Sequence, residues 1–269
     1  RLGRTVVDLS FAEETPDRLQ ELAIASNATV VWDVGIAPGL SNMLLAEAQA
    51  KLGTFTNAEI RVGGNPSQPD DDWSYMAPFS PADVIAEYTR PARVVRNSEV
   101  ATLPALEERH LIEVGGKGTM EAFLSDGLRS LLFTMKAEDM SEYTVRWPGH
   151  IQRYIDERDA GELDLDALLD SWTLDKTRDE FTWMEVKAEN ETQRFIWRIE
   201  DSGSKGDSSM ARTTGLVTLA TALTLCENDE ILPSGVFSPE ELPPAFLDRA
   251  LSLMVKNGVK IEHHIERSN

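Results

Sequence analysis

The first forty residues constrain the fold more than any other part of the chain. Thr5-Val6-Val7-Asp8-Leu9 is a short apolar run around one acid, the pattern of a buried strand. Thr15-Pro16-Asp17 then signals a helix start, with Thr15 as N-cap and Pro16 at the first helical position. Leu19, Leu22 and Ala23 carry its apolar stripe, and residues 29–32 form a second strand-like run. That β-α-β spacing belongs to a parallel α/β unit. The chain therefore reads as opening with the last crossover of a nucleotide-binding sheet. A first residue other than Met, close to a strand, adds the expectation that it starts within a domain.

The loop that follows, Asp33-Val34-Gly35-Ile36-Ala37-Pro38-Gly39, sits at the carboxyl end of the second strand, where open α/β sheets place ligands. The helix over 40–52 begins directly after it and offers free N–H groups. Two readings stand side by side at this point: Gly35 and Gly39 admit a flat ring against the backbone, or the segment is a tight structural turn.

Further along, the pattern predicts strands at 58–62, 92–95, 99–102, 110–114 and 143–147, and an alternating hairpin over 181–201. Helices are expected from Ser80-Pro81, after Ser125-Asp126-Gly127, from Pro148-Gly149-His150, over 209–226, from Ser238, and over 246–256. A last short strand is expected at 259–261, and the Gly/Ser-rich stretch 202–208 reads as mobile. The fold class is thus α/β, a mixed sheet with helices.

Composition removes several classes of function. With 46 acids against 26 Lys and Arg the net charge is −20, which repels a phosphate backbone and argues against nucleic acid. The acidity suits either a solvated surface or a patch for a cationic partner. No apolar run approaches a membrane span, and no secretory signal layout opens the chain. Cys226 is the only cysteine, so no internal disulfide or cysteine zinc site can form, and a cytoplasmic, reducing compartment is expected. Cys226 falls within an apolar helix stripe and reads as core. The four histidines, 110, 150, 263 and 264, sit in no metal-binding frame, so no metal is expected. No G-x-G-x-x-G follows a strand, and Gly115-Gly116-Lys117-Gly118 reads as a hairpin or loop.

The run Val30-Val31-Trp32-Asp33-Val34-Gly35-Ile36-Ala37-Pro38-Gly39-Leu40-Ser41-Asn42 resembles the saccharopine dehydrogenase-like family, in its lysine 6-dehydrogenase and carboxynorspermidine dehydrogenase branch. Similar blocks follow in order: Val62-Gly63-Gly64-Asn65-Pro66, Tyr88-Thr89-Arg90-Pro91-Ala92, Asp126-Gly127-Leu128-Arg129, Arg146-Trp147-Pro148-Gly149-His150 and Ser209-Met210-Ala211-Arg212-Thr213-Thr214-Gly215. Asn65 and Trp147 stand where the family often has Leu and Tyr. The resemblance implies an NAD- or NADP-linked oxidoreductase acting on a carbon–nitrogen bond of a small amino-acid-like substrate. It also implies a homodimer and a two-part architecture. Residues 1–40 would end a Rossmann domain, 41–208 would form the substrate-binding and dimerisation domain, and 209–269 would return toward the Rossmann side. Most of the Rossmann half, including the phosphate-binding loop, has no counterpart here, so the chain alone is expected to be inactive.

In this reading Asp33, Gly35, Ala37, Pro38 and Gly39 line the nicotinamide. Arg129, Arg146 and Arg212 are candidates for clamping a substrate carboxylate, each alternatively a structural salt bridge. Tyr75 is a candidate to stack on substrate. His150, at a helix start that would keep it neutral, is the candidate catalytic residue for proton handling, or else a capping or packing histidine. Two other classes remain open: a binding or dimerisation module without its own cofactor, and a homospermidine synthase-type enzyme that uses and regenerates NAD.

Overall fold

The computed structural model describes residues 3–12, 14–203 and 208–267. The opening crossover forms as expected: β1 (Thr5–Val7), a 3-10 turn (Pro16–Leu19) running into α1 (Gln20–Ala25), and β2 (Thr29–Val31), parallel to β1. β1 departs from the buried strand expected, because it lies at the sheet edge with Val6 exposed. α2 (Leu40–Leu52) follows the Gly/Pro loop.

A larger mixed sheet comes next. Its strands and helices are β3 (Phe55–Pro66), α3 (Pro81–Thr89), β4 (Ala92–Arg96), β5 (Glu99–Leu103), β6 (His110–Val114) and β7 (Gly118–Leu124). Then come α4 (Leu131–Thr134), β8 (Ala137–Arg146), α5 (His150–Ala160), α6 (Leu165–Ser171), β9 (Glu180–Glu189) and β10 (Gln193–Ser202). The chain closes with α7 (Ser209–Glu227), β11 (Gly235–Phe237), α8 (Pro244–Lys256) and β12 (Lys260–Arg267).

Among the described residues the large sheet runs β12-β10-β9-β3-β8-β4-β5, with the β6–β7 hairpin attached through β7 to β8. β3 and β8 are parallel; the other pairings are antiparallel. β11 returns to the small sheet and pairs parallel with β2. Gly115 to Gly118 is the turn of the β6–β7 hairpin. Asn97 and Ser98, both with positive φ, turn the β4–β5 hairpin.

Three further expectations need correction, and a fourth falls partly outside the described residues. β3 and β8 run well beyond the apolar cores that announced them: Gly63, Gly64, Asn65 and Pro66 continue β3 instead of ending it. The short last strand expected at 259–261 is instead eight residues long, β12, and covers the β10 edge of the β9–β10 hairpin. Cys226 is exposed, since it lies on the outer side of the last turn of α7. Residues 204–207 of the stretch expected to be mobile lie outside the described residues.

The main core lies between one face of the large sheet and α2, α7 and α8. It is built from Leu44, Leu45, Ile60, Met140, Val186, Val217 and Phe246, among others. A second cluster on the opposite face holds Met120, Tyr143, Val145, Trp147 and Phe181. The two-residue period of a strand explains how one sheet supplies both. On β8, Tyr143 and Val145 face the second cluster, while Met140 faces the main core. In phase with Met140 come Glu142, Thr144 and Arg146, which leave the core for a cavity.

Candidate functional site

A cavity of about 600 Å³ opens at the carboxyl ends of the parallel strands β2, β3 and β8. That volume falls in the ordinary range for small-molecule sites. One wall is backbone and apolar side chain: Gly35 to Pro38, Leu9, Phe11 and Met210. The opposite wall is charged, with Glu87 and Arg90 from α3, Asp126 from the β7–α4 loop, and Glu142 and Arg146 from β8.

The loop wall is a closed backbone ring. The Gly35 N–H donates to the Pro38 carbonyl at 3.0 Å, and the Leu40 N–H to the Gly35 carbonyl at 2.9 Å. The Ala37–Pro38 peptide is cis. Gly39, at φ 133°, is required by this closure, because a Cβ there would lie 2.0 Å from the Gly35 oxygen. The missing side chain of Gly39 thus serves the turn itself rather than a ring lying on it. The Asn42 side chain pins the loop, accepting from the Gly39 N–H at 3.1 Å and donating to Glu240 at 2.9 Å. Asp33 lies behind the wall in a fully buried ion pair with Arg129, Nε to Oδ2 2.8 Å. Burial pushes its carboxyl up, against the pull of the Arg129 guanidinium.

The three arginine candidates separate in space. Arg129 is engaged by Asp33, by the Ala12 carbonyl and by the face of Phe11, so it joins the small sheet to the large one and does not line the cavity. Arg212 pairs with Asp201 at 2.9 Å and reaches the Asn257 carbonyl, also off the cavity wall. Arg146 is the one of the three on the wall. It is 2% exposed, lies over the Tyr75 ring at 4.5 Å, and has Glu87 3.5 Å away.

Behind Arg146 runs a directed hydrogen-bond chain. Arg146 Nε donates to the Tyr88 hydroxyl at 2.9 Å. His150 Nδ1 lies 2.9 Å from the Trp73 carbonyl, which can only accept, so Nδ1 carries the hydrogen. His150 Nε2 must then accept from Tyr88 at 2.9 Å. Burial, reinforced by the Arg146 charge, pushes His150 down to about 3, so it is neutral across the physiological range. Burial, rather than the helix start, is the main cause. His150 sits in an aromatic box of Trp73, Tyr75, Tyr88 and Trp172 and does not line the cavity. Tyr75 belongs to the same box, and burial pushes its hydroxyl up to about 12. Burial alone would lower the Arg146 pKa, but Tyr75, Tyr88 and Glu87 outweigh it and raise it, so its charge is permanent.

The acids of the charged wall were not singled out as site residues from sequence. Asp126 holds Arg93 through two side-chain hydrogen bonds, 2.9 and 3.0 Å, and one from its backbone N–H at 3.0 Å, with Arg90 at 3.4 Å. Glu87 accepts from Thr144 and faces Arg146. Glu142 is 5% exposed, and its Oε2 has no hydrogen-bond partner. The available signal was the strand period: 142 shares the inward phase of Met140, where an acid is out of place in a strand. Among the described residues no three His, Cys, Asp or Glu side chains converge as metal ligands, and no helix is long and apolar enough to cross a membrane.

The cavity lies at the carboxyl ends of parallel strands, walled by a glycine-proline loop and a charged sheet face, the position at which open α/β sheets take ligands. The model of the saccharopine dehydrogenase C-terminal domain matches residues 35–259, and the chain belongs to that oxidoreductase family. The fold is similar to that of saccharopine dehydrogenase (L-Glu forming) from Saccharomyces cerevisiae, with TM-score 0.77 and 15% identity over 97% of this chain and 79% of that one. It is also similar to a homospermidine synthase from Legionella pneumophila in complex with NAD, with TM-score 0.64 and 11% identity over 97% of this chain and 71% of that one.

Proposed function

We propose that the chain forms the substrate side of an NAD- or NADP-dependent oxidoreductase acting on the carbon–nitrogen bond of an amine or amino-acid-like substrate. The observation that carries this is the cavity itself, which sets the Gly35–Pro38 backbone opposite a wall of buried charge. The apolar side fits a flat nicotinamide ring: Gly35, Ile36, Ala37 and Pro38 would hold it, with Leu9, Phe11 and Met210 excluding water. The cofactor would supply hydride acceptance or donation.

This chain's own residues bind and orient the substrate. Arg146 is a fixed cation on the wall, suited to a carboxylate. Its Nε is aimed by Tyr88, and Tyr88 is aimed by His150. His150 is thus a positioning residue, and its buried neutral ring keeps the relay in one direction. Asp33 and Arg129 hold the loop wall against the charged wall. The resemblance to the lysine 6-dehydrogenase and carboxynorspermidine dehydrogenase branch supports an amine-bearing substrate. The acid-rich wall also suits a diamine, which favours the homospermidine synthase-type reaction as the second reading.

The test is a reduced-nicotinamide assay on the full-length protein with a panel of diamines and diamino acids, in parallel with NADH and NADPH titration. Cofactor-linked turnover of at least one amine is expected. Absence of both cofactor binding and turnover would overturn the proposal, and turnover without net change in nicotinamide redox state would favour the second reading.

A further inference from the structure

The carboxylates of the cavity are not equivalent. Asp83 is exposed on the first turn of α3, Glu87 faces Arg146, and Asp126 holds Arg93. Glu142 has neither an ion pair nor a side-chain hydrogen bond among the described residues, and its buried Oε2 is orphaned. Gly127 leaves the space that the carboxyl occupies: a Cβ there would fall 1.3 Å from Oε2, and the carboxyl would have to swing aside. Both Gly127 and Glu142 line the cavity.

We propose that Glu142 anchors a subsite for a primary ammonium group, so that the cavity takes the amine end of a diamine or diamino acid. This deepens the function proposed above and rests on it for the end of the substrate that reacts. A buried, orphaned carboxyl on a cavity wall costs free energy that a matching donor recovers. The neighbours select which donor. Arg90 and Arg129 are the cations that face Glu142, and Glu87 and Asp126 are the anions. Neither arginine forms an ion pair with it: Arg129 is held by Asp33, and Arg90 lies 3.4 Å from Asp126 and over the Phe11 ring, with no hydrogen bond from its own Nε. Once Glu142 ionises, three carboxylates outnumber the two arginines that face it, and among the described residues no donor is hydrogen-bonded to its side chain. An ammonium group brings a compact positive charge and three N–H donors.

Protonation makes the subsite readable. Burial, then Glu87 and Asp126, push the Glu142 carboxyl up to about 8, so it is mostly protonated in the empty cavity at pH 7. An arriving ammonium favours the carboxylate, and the carboxyl proton leaves to solvent. Amine binding at neutral pH should release close to one proton per site.

The experiment is calorimetry of 1,5-diaminopentane and pentylamine binding to this chain and to its Glu142→Gln variant. Measurements at pH 7 in two buffers of different ionisation heat count the protons, and 1-pentanol is the neutral control. The expected result is amine binding with proton release, weaker by about tenfold or more in the variant and without release there. Infrared difference spectra of the unmodified chain should show a protonated carboxyl band disappearing as amine is added, independently of how the variant folds. Failure of the chain to bind either amine overturns the subsite, as do equal amine affinity in the variant, equal affinity for pentanol, or an unchanged carboxyl band. Amine binding as described without nicotinamide-linked turnover in the full-length protein leaves the subsite standing and removes the dehydrogenase reading. Turnover with an unchanged KM in Glu142→Gln does the reverse.

Discussion

Two buried titratable side chains give this protein opposite responses to pH. Glu142 keeps its proton in the folded state up to about pH 8, whereas in the unfolded chain it ionises near its ordinary value of 4.5. From pH 4.5 to 8 the unfolded state sheds a proton that the folded state holds, so this group's contribution to stability falls as pH rises and then levels off. Glu142→Gln should therefore raise the melting temperature relative to the parent by an increment that grows from pH 5 to 8. A pH-independent difference would contradict a buried protonated carboxyl. His150 works the other way. It is pushed down to about 3 from 6.5, so its stabilising contribution is present above 6.5 and is lost as pH falls toward 3. His150→Gln should flatten the acid limb of the stability curve measured by urea denaturation. The position of His150 after Pro148-Gly149 was legible as a helix start, and its neutrality was expected there. Its neighbours Tyr88 and Trp73 lie 62 and 77 residues away, so the relay to Arg146 was not legible.

Among the elements, the Gly/Pro loop and its attached helix form the unit on which the site depends. The loop's backbone closes on itself, and Asn42 ties it to Glu240, which also accepts from Thr134. Gly39→Ala should destabilise by more than about 2 kcal/mol, since a side chain is forced against the Gly35 carbonyl at a φ that favours glycine. Gly53→Ala provides the control: its φ is also positive, but a Cβ there meets nothing within 4 Å. The Asp33–Arg129 pair is a second testable joint. Removing either partner alone should cost about 3–5 kcal/mol by stranding a buried charge, while Asp33→Leu combined with Arg129→Met should cost much less. A double-mutant cycle in chemical denaturation measures the difference, and additive single costs would show that the pair is not coupled.

For the whole molecule, the two sheets meet at a cavity because β11 returns from the C-terminal part to pair with β2. The large sheet ends in β12 on one side and β5 on the other. We propose, as the family resemblance implies, that two copies of the chain pair: sedimentation equilibrium should show a mass of two chains, whereas a monomer at high concentration would contradict it. The −20 charge bears on stability as well as on partners: self-repulsion should make the melting temperature rise with added salt up to a few tenths molar, where screening shortens to below 10 Å. No rise would mean that the acids are already locally balanced.

The sequence alone determined the local elements and the order in which they follow. The crossover at 5–31, the hairpin over 181–201 and the helices that start after Ser80 and Gly149 depend on side-chain period and turn residues, which act within a few residues. Tertiary structure alone decided which charges are joined and which is left over. Arg129 and Asp33 are 96 residues apart, and Arg212 found Asp201 rather than the cavity. Glu142 became conspicuous only once Gly127 and the arginines around it had taken their places. Burial and pairing are properties of three-dimensional neighbours, and a carboxylate's chemistry is set by them far more than by its position in the chain.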